Sequence, residues 1–421
     1  MKVMWLCSTP VGAITDALGL EPAVLGGWMN GAFGDISSIE EIDLLICYPQ
    51  GRNTAPEKCH PNRACAIGFY WNGVRCSLGD TSALFQNILE DYRPDVIHIF
   101  GTEHEYAAIL AKVAHDLGMG SRISISIQGL VSICASQFLP DFTRQELRRA
   151  SLSEIKNRCS LIKQKEDYER RGQWERKLIS MATVVMGRTE WDEGCCRLVN
   201  PDLIYRHVGE TLREEFYVAD PGCDISAHRL FFSQGGKPIK AMHRLVEAIP
   251  LVAKVFPDVT VAVSGLAELR DGIIRGQSYH RFIAQRMHEL GVSDRFEFLG
   301  ALGPKTLIKE MQSSSVFVST SSIENSPNSM GEAMMLGIPC VSSFVGGVPS
   351  IAKDGEEALL FPLNEPEMLA RHIIWLLKHE DEALKIGSRG RTRALQNHSR
   401  EENRRCLLAV YHEIEERHSD S

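Results

Sequence analysis

The chain reads as an α/β protein built from two Rossmann-like domains that face each other across a deep cleft. Three observations predict it. The length of 421 residues is enough for two hydrophobic cores. Short apolar runs alternate with helical or loop stretches through the first half, the pattern of a parallel sheet covered on both faces. After a break near 208–224 the same alternation starts again, so the pattern occurs twice.

In the first half the runs are Lys2 to Cys7, Ile42 to Cys47, Asp95 to Phe100, Arg122 to Ile127 and Thr183 to Gly187. Ligands of such sheets gather at the carboxyl ends of strands, so the residues after each run are the informative ones. Gly26-Gly27-Trp28 precedes a helix expected from Met29, and paired glycines let backbone approach a ligand closely. Gly101-Thr102-Glu103-His104 and Gln128-Gly129 should line the cleft. Glu103 and His104 are the titratable groups there, whereas Gln128 can donate and accept hydrogen bonds but carries no proton charge. Arg188, directly after a strand, is placed to fork onto a phosphate or to hold Glu190 or Asp192.

Composition narrows the function. A net charge of −8 argues against a nucleic-acid partner, which would be gripped by clustered Lys and Arg. Twelve cysteines are scattered, several inside strands as small apolar residues, which fits a reducing, cytoplasmic setting. Cys59, His60, Cys65 and Cys76 match no common zinc spacing, so no metal is expected. MKVMWLCSTP reads as a first strand and not a signal peptide. No uncharged apolar run reaches the ~18 residues of a membrane helix. Residues 142–177 hold eleven basic side chains against six acidic ones. That asymmetry fits a peripheral contact with anionic membrane or a lipid-diphosphate acceptor, or else a solvated helical pair.

The second half has runs at Leu230 to Ser233, Val259 to Val263, Phe296 to Leu299, Val316 to Val318, Pro339 to Ser342 and Leu359 to Phe361. Gln234-Gly235-Gly236-Lys237-Pro238-Ile239-Lys240-Ala241 leads into an amphipathic helix carrying Met242, Leu245, Val246 and Ile249. The most informative stretch is Val316 to Ile351. A strand is followed by a loop, then Ser326 and Pro327 open a helix as N-cap and first residue, and Gly337 with Pro339 closes it. The peptide N–H groups of Asn328, Ser329 and Met330 should point out of the helix end as an anion cradle. Glu324 and Glu332 flank it, with seven residues between them. Phosphate in the middle and hydroxyls at both ends describe a nucleotide sugar. Neither G-x-G-x-x-G, a P-loop nor a D-x-D pair of metal-dependent sugar transferases is present.

The segment E-N-S-P-N-S-M-G-E-A-M-M-L-G-I-P-C-V, with V-F-V-S before it and V-G-G-V-P-S-I after it, resembles the E-x7-E donor motif of retaining glycosyltransferases of family 4, which have the GT-B fold. The resemblance implies metal-independent transfer of a sugar from a UDP- or GDP-linked donor to a saccharide or lipid-linked acceptor, in polysaccharide or glycolipid biosynthesis. It places Glu324 and Lys240 at the chemistry, with Glu103 and Gln128 on the acceptor side. Gly26, Gly27, Arg188, Gly235, Lys240, Glu324, Asn328, Ser329, Met330 and Glu332 would bind the donor. It also divides the chain into an acceptor domain (1–208), a nucleotide-sugar domain (209–396) and a last helix (397–421) that returns to the first domain. Two departures stand out. Gln128 replaces a common His, and glycines replace an Arg expected shortly before Lys240, so that backbone amides, Lys237 or Arg188 would supply the second charge. Two alternatives remain open: a sugar-nucleotide epimerase on the same scaffold, and a non-catalytic binding subunit.

Overall fold

The computed structural model of the protein describes residues 1–19, 27–50, 57–71, 78–267, 269 and 277–419. Contacts divide the chain into two compact units, Met1–Ser132 with Arg170–Arg213 and His398–Ser421, and Ile133–Glu169 with Glu214–Asn397. A single break near 208 is therefore too simple a description. Ile133–Glu169 counts with the second unit because Phe138, Leu139, Leu147 and Leu161 are buried in that unit's core.

In the first unit the described strands are β1 (Lys2–Leu6), β2 (Asp43–Gln50), β3 (Glu57–Cys59), β4 (Cys65–Tyr70), β5 (Val96–Phe100), β6 (Ile123–Ser126), β7 (Val184–Gly187) and β8 (Ile204–His207). They form one sheet in the order β3-β4-β2-β1-β5-β6-β7-β8. All pairings are parallel except β3 with β4. The central strands are continuous apolar runs and are buried, as a sheet covered on both faces requires. β3, at the edge, is three residues long and shows no run that would announce it, whereas β4, inside it, is the apolar run Cys65–Tyr70, which was not among the strands expected. Between β1 and β5 the direction of winding reverses, which opens a crevice for a ligand at the carboxyl ends of those two strands.

The carboxyl-terminal helix Arg400–Ser419 lays Leu407, Val410, Tyr411 and Ile414 into the core that holds Val3, Trp5 and Ile46. Its Tyr411 hydroxyl accepts from Trp5 Nε1 at 2.8 Å and meets His98 Nδ1 at 2.6 Å, and His98 Nε2 lies 2.7 Å from Ser126 Oγ. Burial pushes His98 down to about 3, so the ring is neutral. The tautomer that satisfies all three contacts has Tyr411 donating to Nδ1 and Nε2–H donating to Ser126.

The second unit contains β9 (Arg229–Phe232), β10 (Thr260–Ser264), β11 (Phe296–Gly300), β12 (Val316–Ser319), β13 (Cys340–Ser343) and β14 (Leu359–Phe361). All are parallel, in the order β11-β10-β9-β12-β13-β14. Winding reverses between β9 and β12. Met242, Leu245, Val246 and Ile249 are fully buried on the helix Met242–Ala253, which follows β9. Among the described residues no helix is long and apolar enough to cross a membrane.

Candidate active site

The loops after β9 and β12 leave the sheet side by side at its switch point. The first ends in Lys240 and the second carries Glu324. Lys240 Nζ lies 2.5 Å from Glu324 Oε1, and Ser321 Oγ donates to the same oxygen at 2.6 Å. Both donors fall on Oε1, so Oε2 takes no hydrogen bond among the described residues. The loops are stitched together by backbone as well: Ser322 N–H donates to Ile239 O at 2.9 Å, and Thr320 Oγ1 donates to Ala241 O at 2.9 Å.

The V-G-G-V turn has a definite role here. Gly347 N–H donates to Glu324 O at 3.0 Å, and Gly346, at φ 49°, leaves no room for a side chain, since a Cβ would stand 2.0 Å from that carbonyl oxygen. Glu324 is thus clamped from a second strand's loop.

The helix after this loop runs Asn328–Met335, with Pro327 as N-cap, one residue later than the sequence suggests. The amides of Asn328 and Ser329 carry no hydrogen bond among the described residues, as an anion cradle requires. Met330 differs: its N–H donates to Pro327 O at 3.0 Å because the first turn tightens, so its amide is spent inside the helix. Asn328 Oδ1 is buried without a partner, and Glu332, a turn further on, is 5% exposed. Gly235 sits where an Arg was expected. A Cβ there would meet Val263 Cγ1 at 2.3 Å, so the loop closes against β10 and leaves no room for a larger residue. Lys237, in the same loop, is exposed.

One group in this unit gave no sequence signal. The buried Arg244 guanidinium reaches Thr320 O at 3.4 Å, Asn364 Oδ1 at 3.2 Å and Asp141 Oδ1 at 3.2 Å. Asp141 Oδ2 also meets His243 Nε2 at 2.8 Å. Burial alone would raise the Asp141 carboxyl, but His243 and Arg244 outweigh it and bring it down to about 2. Arg244 and Asp141 are far apart in sequence, so only the fold reveals that they brace the Thr320 loop.

In the first unit the loop after β5 presents Glu103, partly exposed, with Oε2 buried and unpartnered. Burial raises it to about 7, with Glu175 adding repulsion and Arg171 opposing. His104 stacks on Tyr106 at 4.9 Å. Gln128 borders a small cavity of about 50 Å³ that His98, Ser126, Arg188 and Glu210 also line. Arg188 is committed to protein: it pairs with Glu210, donates from Nη2 to Ile127 O at 3.1 Å and Gln128 O at 3.2 Å, and its amide donates to Asp192 Oδ2 at 3.0 Å. Burial lowers it to about 10. Glu175, from the helix Leu161–Met181, accepts from Thr102 Oγ1 and Val131 N at 2.8 Å each and from Ser132 N at 3.0 Å. It ties the loops that carry Glu103 and Gln128. Gly27 begins the helix Gly27–Ser37, and Gly26 lies outside the described residues. Among the described residues no three His, Cys, Asp or Glu side chains are grouped to hold a metal ion.

Residues 228–393 match the family model described as glycosyl transferases group 1. This corrects the family 4 assignment, which rested on the segment Val316 to Ile351, with Glu324 and Glu332 in it, inside this matched region. The D-inositol 3-phosphate glycosyltransferase of Corynebacterium efficiens is 24% identical over 56% of the chain and 58% of its own length. The chain spans about half the length of the curated relatives it matches. Sucrose-phosphate synthase from Thermosynechococcus elongatus superposes with a TM-score of 0.72 at 16% identity, over 98% of this chain and 99% of that one. Anabaena Alr3699/HepE, solved with UDP and glucose, gives a TM-score of 0.67 at 15% identity, over 97% and 99%. These likenesses show the GT-B fold: two Rossmann-like α/β domains.

Proposed function

We propose that the protein is a retaining, metal-independent glycosyltransferase that moves a sugar from a nucleoside-diphosphate donor, UDP- or GDP-linked, to a saccharide or lipid-linked acceptor. One observation carries this reading. Lys240 and Glu324 leave the two strands that flank the second unit's switch point and touch at 2.5 Å, next to a helix end with unspent amides. The group 1 match covers all of these residues, and a neighbour in fold was solved with UDP and glucose.

In this reading the diphosphate sits on the amides of Asn328 and Ser329, and Lys240 faces it. Lys237 supplies the second positive charge, since Gly235 cannot be replaced by a larger residue and Arg188 is held by Glu210. Departure of the nucleoside diphosphate leaves positive charge on the sugar and negative charge on the phosphate oxygen. Glu324 Oε2 orients the sugar and faces the first charge, while Lys240 and the helix amides face the second. Glu332 accepts from ribose hydroxyls. No protein nucleophile is evident, so the acceptor attacks from the face the diphosphate leaves, and the leaving phosphate takes its proton. Glu103 and Gln128 serve the acceptor side, and Arg188 with Glu175 positions their loops. Products enter polysaccharide or glycolipid biosynthesis.

The packed Gly235 also favours a second reading, a binding subunit that has lost transfer. Calorimetry with a panel of UDP- and GDP-sugars, together with slow donor hydrolysis, separates the two. The proposal expects heat and hydrolysis with at least one donor. It also expects Glu324→Ala to lose turnover while keeping part of the binding, and Glu332→Ala mainly to weaken binding. Silence across the panel, or unchanged turnover in both variants, overturns it.

A further inference from the structure

The helix Leu152–Asn157 in the second unit exposes two large apolar side chains one turn apart, Leu152 at 87% and Ile155 at 61%. Exposed Arg148, Arg149, Lys156 and Arg158 lie within four residues of them in the chain. Between Leu147 and Lys165 the only acid is Glu154. That acid is turned inward: Glu154 is 4% exposed, Oε1 accepts from Ser278 N at 2.6 Å, and Oε2 accepts from Arg281 Nη2 at 3.0 Å. Its Oε2 also closes a capping box with Ser151 N–H at 2.8 Å. The helix is therefore pinned to the unit by its one carboxylate, and what it exposes is the apolar pair, the cation Lys156 and the neutral Ser153 and Asn157, with no acid among them.

We infer that this face docks the protein onto an anionic lipid bilayer, with Leu152 and Ile155 seated at the headgroup boundary and Arg148, Arg149, Lys156 and Arg158 against lipid phosphates. A short capped helix with two apolar anchors and exposed cations on either side of it in the chain matches a negatively charged, apolar-cored surface in both sign and polarity. A soluble acidic protein would match the charges but not the protruding pair. A bilayer matches both. The helix Leu152–Asn157 carries none of the residues assigned to the donor, so this inference stands apart from the proposed activity.

Co-sedimentation of the full chain with vesicles tests it, using phosphatidylcholine alone or with phosphatidylglycerol as about one third of the lipid. The chain should pellet with the anionic vesicles and stay in solution with the zwitterionic ones. Leu152→Asn with Ile155→Asn should weaken binding about tenfold or more. Arg148→Gln with Arg149→Gln and Lys156→Gln should weaken it roughly fivefold for each charge removed. Because these side chains are exposed, the thermal midpoint should not move, and a shared midpoint shows that the variants are folded. Equal binding to both vesicle types, no binding to either, or binding that the variants leave intact overturns the inference. So does sedimentation velocity without lipid if it shows a dimer that the Leu152/Ile155 variant abolishes, since the face would then be an interface between copies.

Discussion

Glu103→Gln should make the protein more stable, and by an amount that grows with pH. In the folded state burial raises the Glu103 carboxyl from 4.5 to about 7. Each pH unit of that gap is worth about 1.4 kcal/mol. Below the unfolded value the group is neutral in both states, and nothing is lost. As pH rises through the window from 4.5 to about 7 the unfolded chain releases a proton that the folded one keeps, so stability falls, and above that window the loss is constant at about 3 kcal/mol. Glutamine keeps the size and removes the titration. Between about pH 5 and about pH 8 the advantage of the variant should grow by about 2 to 3 kcal/mol. For a unit of this size that is about 5 to 10 °C in thermal midpoint. Thermal unfolding followed by near-ultraviolet dichroism at the two pH values, for both proteins, measures it. An advantage of the same size at both would refute the reasoning, because a neutral packing change carries no pH dependence.

Two further perturbations follow from the geometry. Gly346→Ala should shift the Glu324 backbone, since its Cβ would lie 2.0 Å from that carbonyl. A loss of about 1 to 3 kcal/mol in stability and weaker donor binding by calorimetry are expected. Gly355→Ala, at φ 74° with nothing within 4 Å, is the control that carries strain without touching the site. Tyr411→Phe orphans Trp5 Nε1 and His98 Nδ1 in the core, which should cost about 2 to 4 kcal/mol in urea denaturation; a loss below half that would mean water replaces the hydroxyl.

The strands of both sheets were largely legible because parallel strands buried on both faces must be continuous apolar runs, and turn residues mark their ends. That Lys240 and Glu324 lie in neighbouring loops was legible for a related reason: residues after such runs gather at the carboxyl ends of the strands whatever their neighbours are. Several features were not. β3 is too short for its pattern to differ from a loop, and the glycine inside β4, Gly68, reads as a break in an otherwise apolar run. Glu175, Arg244 and Asp141 sit among other charged residues, and their partners are distant in sequence, so burial alone separates them from surface side chains. The amide of Met330 was misjudged because the tightness of a first helical turn depends on the Pro327 carbonyl, which no spacing rule reports. Arg188 illustrates the same limit. Its position at a strand end was readable, but Glu210, which holds it, was not.

The hydroxyl contact between Tyr411 and the pair Trp5 and His98 has a consequence for biosynthesis. During translation the ring that completes the packing of β1 is made some four hundred residues after the strand itself. The first unit is therefore the one that must wait on the ribosome, with its sheet face uncovered, while the second, whose last segment ends at Asn397, can already close.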